Sequence, residues 1–142
     1  MQVNPDLIRQ RAKEIRHTLA VLQGYAELPQ EAFLAATETV DAAKYRLIVA
    51  IEASISMCTH LAARLARRTP ESYSECFAIL AEAGLLPPDL AQRLGRMARF
   101  RNLLIHLYWQ IDDSRVWQVL QNDLNDLEEY LVAVGQAIEE SL

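Results

Sequence analysis

The fold is decided by residues 88–109, which read PDLAQRLGRMARFRNLLIHLYW. Apolar side chains recur there at steps of three and four residues, which is the spacing of one face of an α-helix. That face comprises Leu90, Leu94, Met97, Phe100, Leu104 and Leu107. Pro88 suits the first turn of a helix, where a backbone N–H has no partner to lose. The pattern predicts a helix over residues 88–109 with this face in the core.

The second half of the same helix is apolar almost all round, because Leu103, Ile105 and Trp109 lie outside the core stripe. A helix of that kind must be covered on more than one side. One small bundle buries one stripe easily, so the second side requires a partner surface. A second copy related by a two-fold axis supplies that surface most simply, and we expect a homodimer.

The rest of the chain is also helical in pattern, and its capping and breaking residues fall between periodic segments. They are Asn4-Pro5, Gly24, Pro29, Thr69-Pro70, Gly84 and Pro87-Pro88. We therefore predict five helices, over residues 5–23, 29–68, 70–83, 88–109 and 113–141. Short connections favour antiparallel neighbours, so the predicted fold class is all-α, an antiparallel bundle of about five helices in a single domain, 1–142.

The composition fits one compact helical domain, since 51% of the 142 residues are apolar and only 4 Gly and 5 Pro interrupt them. Cys58 and Cys76 have no metal-ligand spacing, and we interpret them as reduced core thiols. The N-terminus predicts neither a signal nor a transit peptide. Glu52 and His60 interrupt the apolar run 47–61, which favours a core helix over a membrane span. We expect a cytoplasmic protein.

The net charge of −5 is unevenly distributed. Residues 89–101 carry four arginines against one acid, whereas residues 112–142 carry eight acids and one arginine. A local basic patch on an acidic protein leaves nucleic-acid binding open. A solvated helix face with local ion pairs explains the same arginines, and the role of the cluster Arg64, Arg67 and Arg68 stays open.

Three polar side chains, Arg101, Asn102 and His106, interrupt the apolar half of the 88–109 helix. Asn102 and His106 lie four residues apart and so one above the other, with Arg99 near the same face. Arginine binds phosphate through two parallel N–H···O hydrogen bonds, and histidine transfers protons near neutral pH. The set fits RNA cleavage, for which the substrate supplies its own 2′-hydroxyl nucleophile. Asn102 either fixes the histidine ring or binds the phosphate, and Arg99 is a further supporting phosphate ligand. A capping histidine and an ion-paired arginine explain the residues equally well.

The segment RNLLIHLY, residues 101–108, resembles the R-x-x-x-x-H-x-Y signature of HEPN ribonuclease toxins of the HepT type. Residues 44–61, 69–77 and 97–113 are similar to the same family, so the resemblance extends over most of the chain. It implies a homodimer whose paired motifs line a cleft at the dimer interface. It also implies a metal-independent endoribonuclease without a cofactor, acting on RNA with tRNA as one candidate. Arg101 and His106 become the catalytic pair and Asn102 a supporting residue.

The resemblance further implies a type VII toxin–antitoxin pair with an MntA-type nucleotidyltransferase antitoxin. That partner transfers AMP from ATP to the motif tyrosine, here Tyr108. The added anion would block RNA beside Arg101 and His106. Periodicity alone favours a core tyrosine at this position. Residues 110–114, QIDDS, look like a helix end, however, so a frayed last turn would leave the hydroxyl accessible.

Other residues have more ordinary interpretations. Glu52 pairs with an arginine of the same bundle or takes part in catalysis. His60 is a core or packing residue, and His17 lies on the surface. Tyr45 and Trp109 either belong to the core or stack on bases.

Two further functions fit the same sequence. One is a non-enzymatic helical subunit that binds substrate for a small nucleotidyltransferase, with Arg101 and His106 gripping a nucleotide. The other is a plain interaction bundle in which the three polar side chains are interface hydrogen bonds.

Overall fold

The computed structural model describes residues 3–141, without the side chains of the last two of them, and within that range it contains helices and no strands. The helices are α1 (Pro5–Ala26), α2 (Gln30–Ala35), α3 (Thr37–Leu61), α4 (Tyr73–Glu82), α5 (Pro88–His106), α6 (Asp113–Asn122) and α7 (Leu124–Ser141). A π-helical turn, Ala62–Ala66, extends α3, and a 3-10 turn, Tyr108–Gln110, follows α5. The predicted all-α fold class is confirmed, although seven α-helices replace the five expected.

Three predicted helix starts, at residues 5, 88 and 113, are confirmed. The side chain of Asn4 accepts hydrogen bonds from the backbone N–H groups of Asp6 and Leu7 at 3.1 and 3.2 Å, and Pro5 opens α1. Pro88 opens α5 in the same way. Gly84 adopts φ +78° after α4, a conformation that suits glycine because it has no Cβ.

The helix predicted over residues 29–68 begins within one residue of its predicted start, but it is interrupted at residue 36 and its regular α-helical part ends at Leu61. Ala36, with φ −97° and ψ 79°, separates α2 from α3. This break lets α2 pack on α6 with Phe33 fully buried, while α3 packs on α1. The sequence has no glycine or proline at the break. The break follows from tertiary packing and not from a local backbone preference. At the far end Arg67 takes a left-handed conformation, φ 55°, and closes the π-turn.

The next helix begins three residues later than predicted. Ser72, not Thr69, is the cap: its hydroxyl accepts from the N–H of Glu75 at 3.1 Å. The carboxylate of Glu75 in turn accepts from the N–H of Glu71 at 2.9 Å. The serine–glutamate spacing of three is that of a capping box, although the glutamate bonds to the residue before the cap, and it outweighs the threonine–proline pair.

The predicted helix over residues 113–141 is interrupted at Asp123, where φ is −112° and ψ is −12°. Asn122 and Asp123 bond readily to nearby backbone and so favour helix ends over helix interiors. The sequence therefore carried a local signal for this break.

Helix α3 lies at the centre of the bundle and contacts α1, α4, α5 and α6. Tyr130 of α7 is fully buried, and its hydroxyl donates to the carbonyl of Ser54 on α3 at 3.0 Å. Cys58 and Cys76 are both buried and free, as predicted. Burial raises the pKa of the Cys58 thiol, which therefore keeps its proton.

The segment Thr37–Ala66 is long and apolar enough to cross a membrane by length and composition, but 56% of its apolar 18-residue stretch is buried inside the bundle. It packs as a core helix, which agrees with the prediction for residues 47–61.

Candidate active site

The candidate active site lies along the seam between α3 and the end of α5. Arg101 contacts Glu52 on α3, and Tyr108 contacts Asp41, which precedes Glu52 on the same helix. Helix α5 therefore runs antiparallel to α3, and the R-x-x-x-x-H-x-Y segment lies across it.

Arg101 is held from several sides. Its Nη2 lies 2.5 Å from Oε1 of Glu52, and its Nη1 donates to Oδ1 of Asn102 at 3.0 Å. The guanidinium carbon lies 5.1 Å from the ring centroid of Tyr73. Within residues 3–141, its Nε is buried and has no hydrogen-bond partner. The side chain is only 15% exposed. The guanidinium is thus fixed in place, and the predicted pairing of Glu52 with an arginine is confirmed.

His106 is the last residue of α5 and is exposed. No donor or acceptor in the described part of the chain hydrogen-bonds its imidazole, so the ring is accessible to a ligand. Asn102, one turn earlier, uses its carbonyl oxygen for Arg101 and not for His106. The helix ends because Leu107 leaves helical geometry, at φ −129° and ψ 35°.

The end of α5 corrects two predictions. The helix stops at His106 rather than at residue 109, and Leu107, expected in the core stripe, is 39% exposed. Its five partners in that stripe are buried. Because Leu107 leaves helical geometry, the periodicity that placed it in the core no longer applies.

Tyr108 lies in the 3-10 turn beyond α5 and is half-buried, so the frayed last turn is confirmed and a core tyrosine is wrong. Its hydroxyl donates to Oδ1 of Asp41 at 3.3 Å. Lys44 places its Nζ 4.6 Å from the ring centroid and 2.9 Å from Oδ1 of Asp113. Burial, and then the charge of Asp41, raise the pKa of Tyr108 above its usual value.

Arg99 does not join Arg101 within one chain. It lines a groove between α4 and α5 together with Ser74 and Gln92. Arg101 lines a different groove on the α3 side with Glu52. Arg99 is exposed and stays available to a ligand on the outer surface.

An exposed apolar surface surrounds the motif. Trp109 is 76% exposed and Tyr45 is 61% exposed, so neither belongs to the core. Ile105 is also exposed. Of the second apolar side predicted for the 88–109 helix, Ile105 is exposed and Leu103 is half-buried on α5, while Trp109 is exposed in the 3-10 turn beyond the helix.

The groove beside Arg101 contains two residues that sequence reasoning did not place near the motif. His60 is half-buried, and its Nε2 accepts from the N–H of Asn4 at 2.9 Å. Burial and then the nearby charge of Arg64 lower its pKa. Tyr73 is the first residue of α4, and an aromatic residue in the polar stretch 69–75 was the only available signal for it. His17 is exposed, as predicted.

Solved helical toxins share this architecture. A tri-AMPylated HEPN toxin of Shewanella oneidensis, solved in complex with an MNT antitoxin, superposes with a TM-score of 0.85 at 23% identity. The match covers 92% of this chain and 98% of the toxin. A cytosolic protein of unknown function, YutE from Bacillus subtilis, superposes with a TM-score of 0.83 at 16% identity, over 99% of this chain and 94% of that one. The fold class is that of the HEPN toxins.

The sequence shows which protein family the chain belongs to. Residues 15–134 match the family described as ribonuclease HepT-like, and the chain belongs to that family. It is similar to an mRNA nuclease HepT of Shewanella oneidensis, 29% identical over 80 residues that cover 56% of this chain and 60% of that protein. It is also 24% identical to a tRNA nuclease HepT of Aphanizomenon flos-aquae, over 91% of this chain and 88% of that one. The resemblance seen in residues 101–108 is confirmed.

Proposed function

We propose that this protein is the toxin of a HEPN/MNT toxin–antitoxin pair and cleaves RNA as a metal-independent endoribonuclease in the cytoplasm. The observation that carries the proposal is the end of α5, where a fixed guanidinium and an exposed imidazole follow one another on the same helix. Membership in the HepT-like family supports it, as does the mRNA or tRNA nuclease activity in the names of two relatives.

The reaction needs only groups that the chain and the RNA supply. The 2′-hydroxyl oxygen of the substrate bonds to the adjacent phosphorus, and the bond from phosphorus to the 5′-oxygen breaks. A cyclic phosphate and a 5′-hydroxyl result. His106 moves a proton, either from the 2′-hydroxyl or to the departing 5′-oxygen. Arg101 stabilises the negative charge that accumulates on the phosphate oxygens.

A homodimer would complete the site. The uncovered apolar side chains around Ile105 and Trp109 fit a two-fold contact between copies of α5. Such a contact brings two Arg101–His106 pairs to one cleft, so one histidine can act as base and the other as acid. Asn102 positions Arg101, and Arg99 from the outer surface supports binding of RNA phosphates.

We also propose Tyr108 as the site of control by an MNT nucleotidyltransferase. The related Shewanella toxin is described as tri-AMPylated and in complex with such an antitoxin. Here the phenol lies in a short turn next to the motif, not within the core. An AMP group on its oxygen would bring negative charge and bulk to the cleft and exclude RNA.

Expression alone and together with the neighbouring nucleotidyltransferase gene tests the proposal. We expect growth inhibition by the chain alone, rescue by the partner, and loss of both toxicity and RNA cleavage in His106→Ala with the dimer intact. A non-enzymatic substrate-binding subunit would neither slow growth nor be rescued. AMP-free wild-type protein that cleaves no class of cellular RNA would refute the enzymatic function.

A further inference from the structure

A groove beside Arg101 is not used by the reaction described above. Its volume is about 570 Å³. It is lined by Glu52, Ile55, Ser56, Thr59, His60, Tyr73 and Arg101. All of these belong to α3, to the start of α4 or to α5, so a single chain builds it. We propose that this groove binds one base of the RNA next to the phosphate on Arg101, an inference that rests on the proposed nuclease function.

Tyr73 supplies the stacking surface. It is the first residue of α4, held there by the Ser72 cap, and 44% of it is exposed. The Arg101 guanidinium lies 5.1 Å from its ring centroid. Exposed aromatic rings and arginine planes are the surfaces on which proteins stack unpaired bases. A base on Tyr73 would therefore be adjacent to the cation that binds its phosphate.

The acidic rim of the groove favours a base over a second phosphate. Glu52 is half exposed at this rim and uses Oε1 for Arg101. Among the residues that the structure describes, no donor contacts its other oxygen. A carboxylate repels phosphate, but it accepts hydrogen bonds from the amino groups of bases. A neutral, flat group with amino donors is the ligand that matches this rim.

The polar groups on the floor of the groove already have partners. The Ser56 hydroxyl accepts from Nε of Arg11 at 3.1 Å, and Nε2 of His60 accepts from the backbone of Asn4. Ile55 adds a buried apolar surface. A floor with satisfied hydrogen bonds contacts the face of a base without losing bonds to water.

The rest of the groove follows α3. Arg11 donates to the Ser56 hydroxyl there and is paired with Glu14 at 3.0 Å, and the charge of Arg64 contributes to the lowered pKa of His60. From Glu52 to His60, α3 extends about 12 Å at 1.5 Å per residue. The groove therefore extends from Arg101 along about two turns of α3.

The test compares Tyr73→Ala with Tyr73→Phe in the full-length protein. The probe is a fluorescent 2′-O-methyl oligoribonucleotide, which cannot be cleaved because its 2′-oxygen is blocked, and binding is followed by fluorescence anisotropy. We expect Kd to rise about tenfold in Tyr73→Ala, since a stacked base is lost, and to stay within about twofold in Tyr73→Phe. Val132→Ala, an exposed apolar change outside the groove, should bind like wild type.

Cleavage kinetics provide a second readout. Tyr73→Ala should raise KM for RNA by a similar factor, because the stacking ring is lost, whereas Tyr73→Phe keeps the ring against Arg101 and should keep both KM and kcat near wild type. Equal Kd values for wild type and Tyr73→Ala would overturn the base site. Weakened binding of the nucleotidyltransferase with unchanged RNA affinity would also overturn it, because the groove would then hold a protein segment.

The two proposals fail differently. If His106→Ala abolishes cleavage but Tyr73→Ala binds RNA normally, only the base site is wrong. If the wild type cleaves no RNA, the nuclease function is wrong. Binding of the blocked oligonucleotide still decides whether the groove holds a base.

Discussion

The Tyr108 hydroxyl donates a hydrogen bond to Oδ1 of Asp41, 3.3 Å away on the neighbouring helix α3. The contact ties the turn after α5 to the central helix. It also places a carboxylate next to the oxygen that we propose is modified. The negative charge of a carboxylate at this distance opposes ionisation of the phenol, and its oxygen accepts a hydrogen bond from the protonated phenol.

Asp41→Asn should therefore lower the pKa of Tyr108. Removing the negative charge takes away one cause of the raised pKa, while burial, the larger cause, remains. The measurement is a spectrophotometric titration of phenolate absorbance, with Tyr108→Phe subtracted to isolate this residue from the other tyrosines. An unchanged titration midpoint in Asp41→Asn would show that the charge of Asp41 does not contribute to the raised pKa.

Tyr130→Phe should destabilise the fold at neutral pH and reduce its sensitivity to alkali. The hydroxyl donates to the carbonyl of Ser54 in the core, and loss of such a bond costs about 1 kcal/mol. Burial raises the pKa of Tyr130 well above its usual 10.0. The folded state thus retains this proton more strongly than the unfolded state, so stability falls as pH rises above about 10. Urea unfolding at neutral and high pH measures both effects, and a variant as alkali-sensitive as wild type would contradict the second.

Arg93→Ala should destabilise the protein by about 2 kcal/mol, because its partner Asp126 on α7 would remain buried without its ion pair. Arg93 also pairs with Glu129 and Asp89. Arg99→Ala is the matched control: this exposed arginine, six residues further along α5, should change the free energy of unfolding by less than about 0.5 kcal/mol. Thermal unfolding of both variants measures the difference. Equal effects would mean that the Arg93 pairs contribute no net stability.

The arginine-rich segment 89–101 shows which features of the candidate site can be predicted from composition and which cannot. Charge counts left a basic patch open but favoured a solvated helix face with local ion pairs. In the structure Arg93 pairs within the fold and Arg101 pairs with Glu52, whereas Arg99 is exposed. Whether an arginine is ion-paired or exposed depends on which acidic residue of another helix lies opposite it. No local sequence pattern contains that information.

The helix boundaries likewise divide into those with a local cause in the sequence and those set by tertiary packing. The start of α1 at Asn4 and the break at Asp123 have local chemical causes, so the sequence contains both signals. The break at Ala36 has no such cause and depends on where Phe33 finds the core. The candidate site is similar: the spacing of Arg101 and His106 is local, but the approach of Tyr73 is set by the packing of α4 against α5.

The final prediction concerns the exposed apolar side of α5. Ile105→Asp should convert the expected homodimer to a monomer and abolish RNA cleavage, because a charge cannot be buried there without a partner and each cleft needs both motifs. The side chain is exposed in the single chain, so helicity and thermal stability of the monomer should stay close to wild type. Val132→Asp on α7 places the same charge at another exposed apolar position and should leave the dimer intact. Analytical ultracentrifugation of both variants separates the cases. A stable Ile105→Asp dimer would place the contact between copies on a different face.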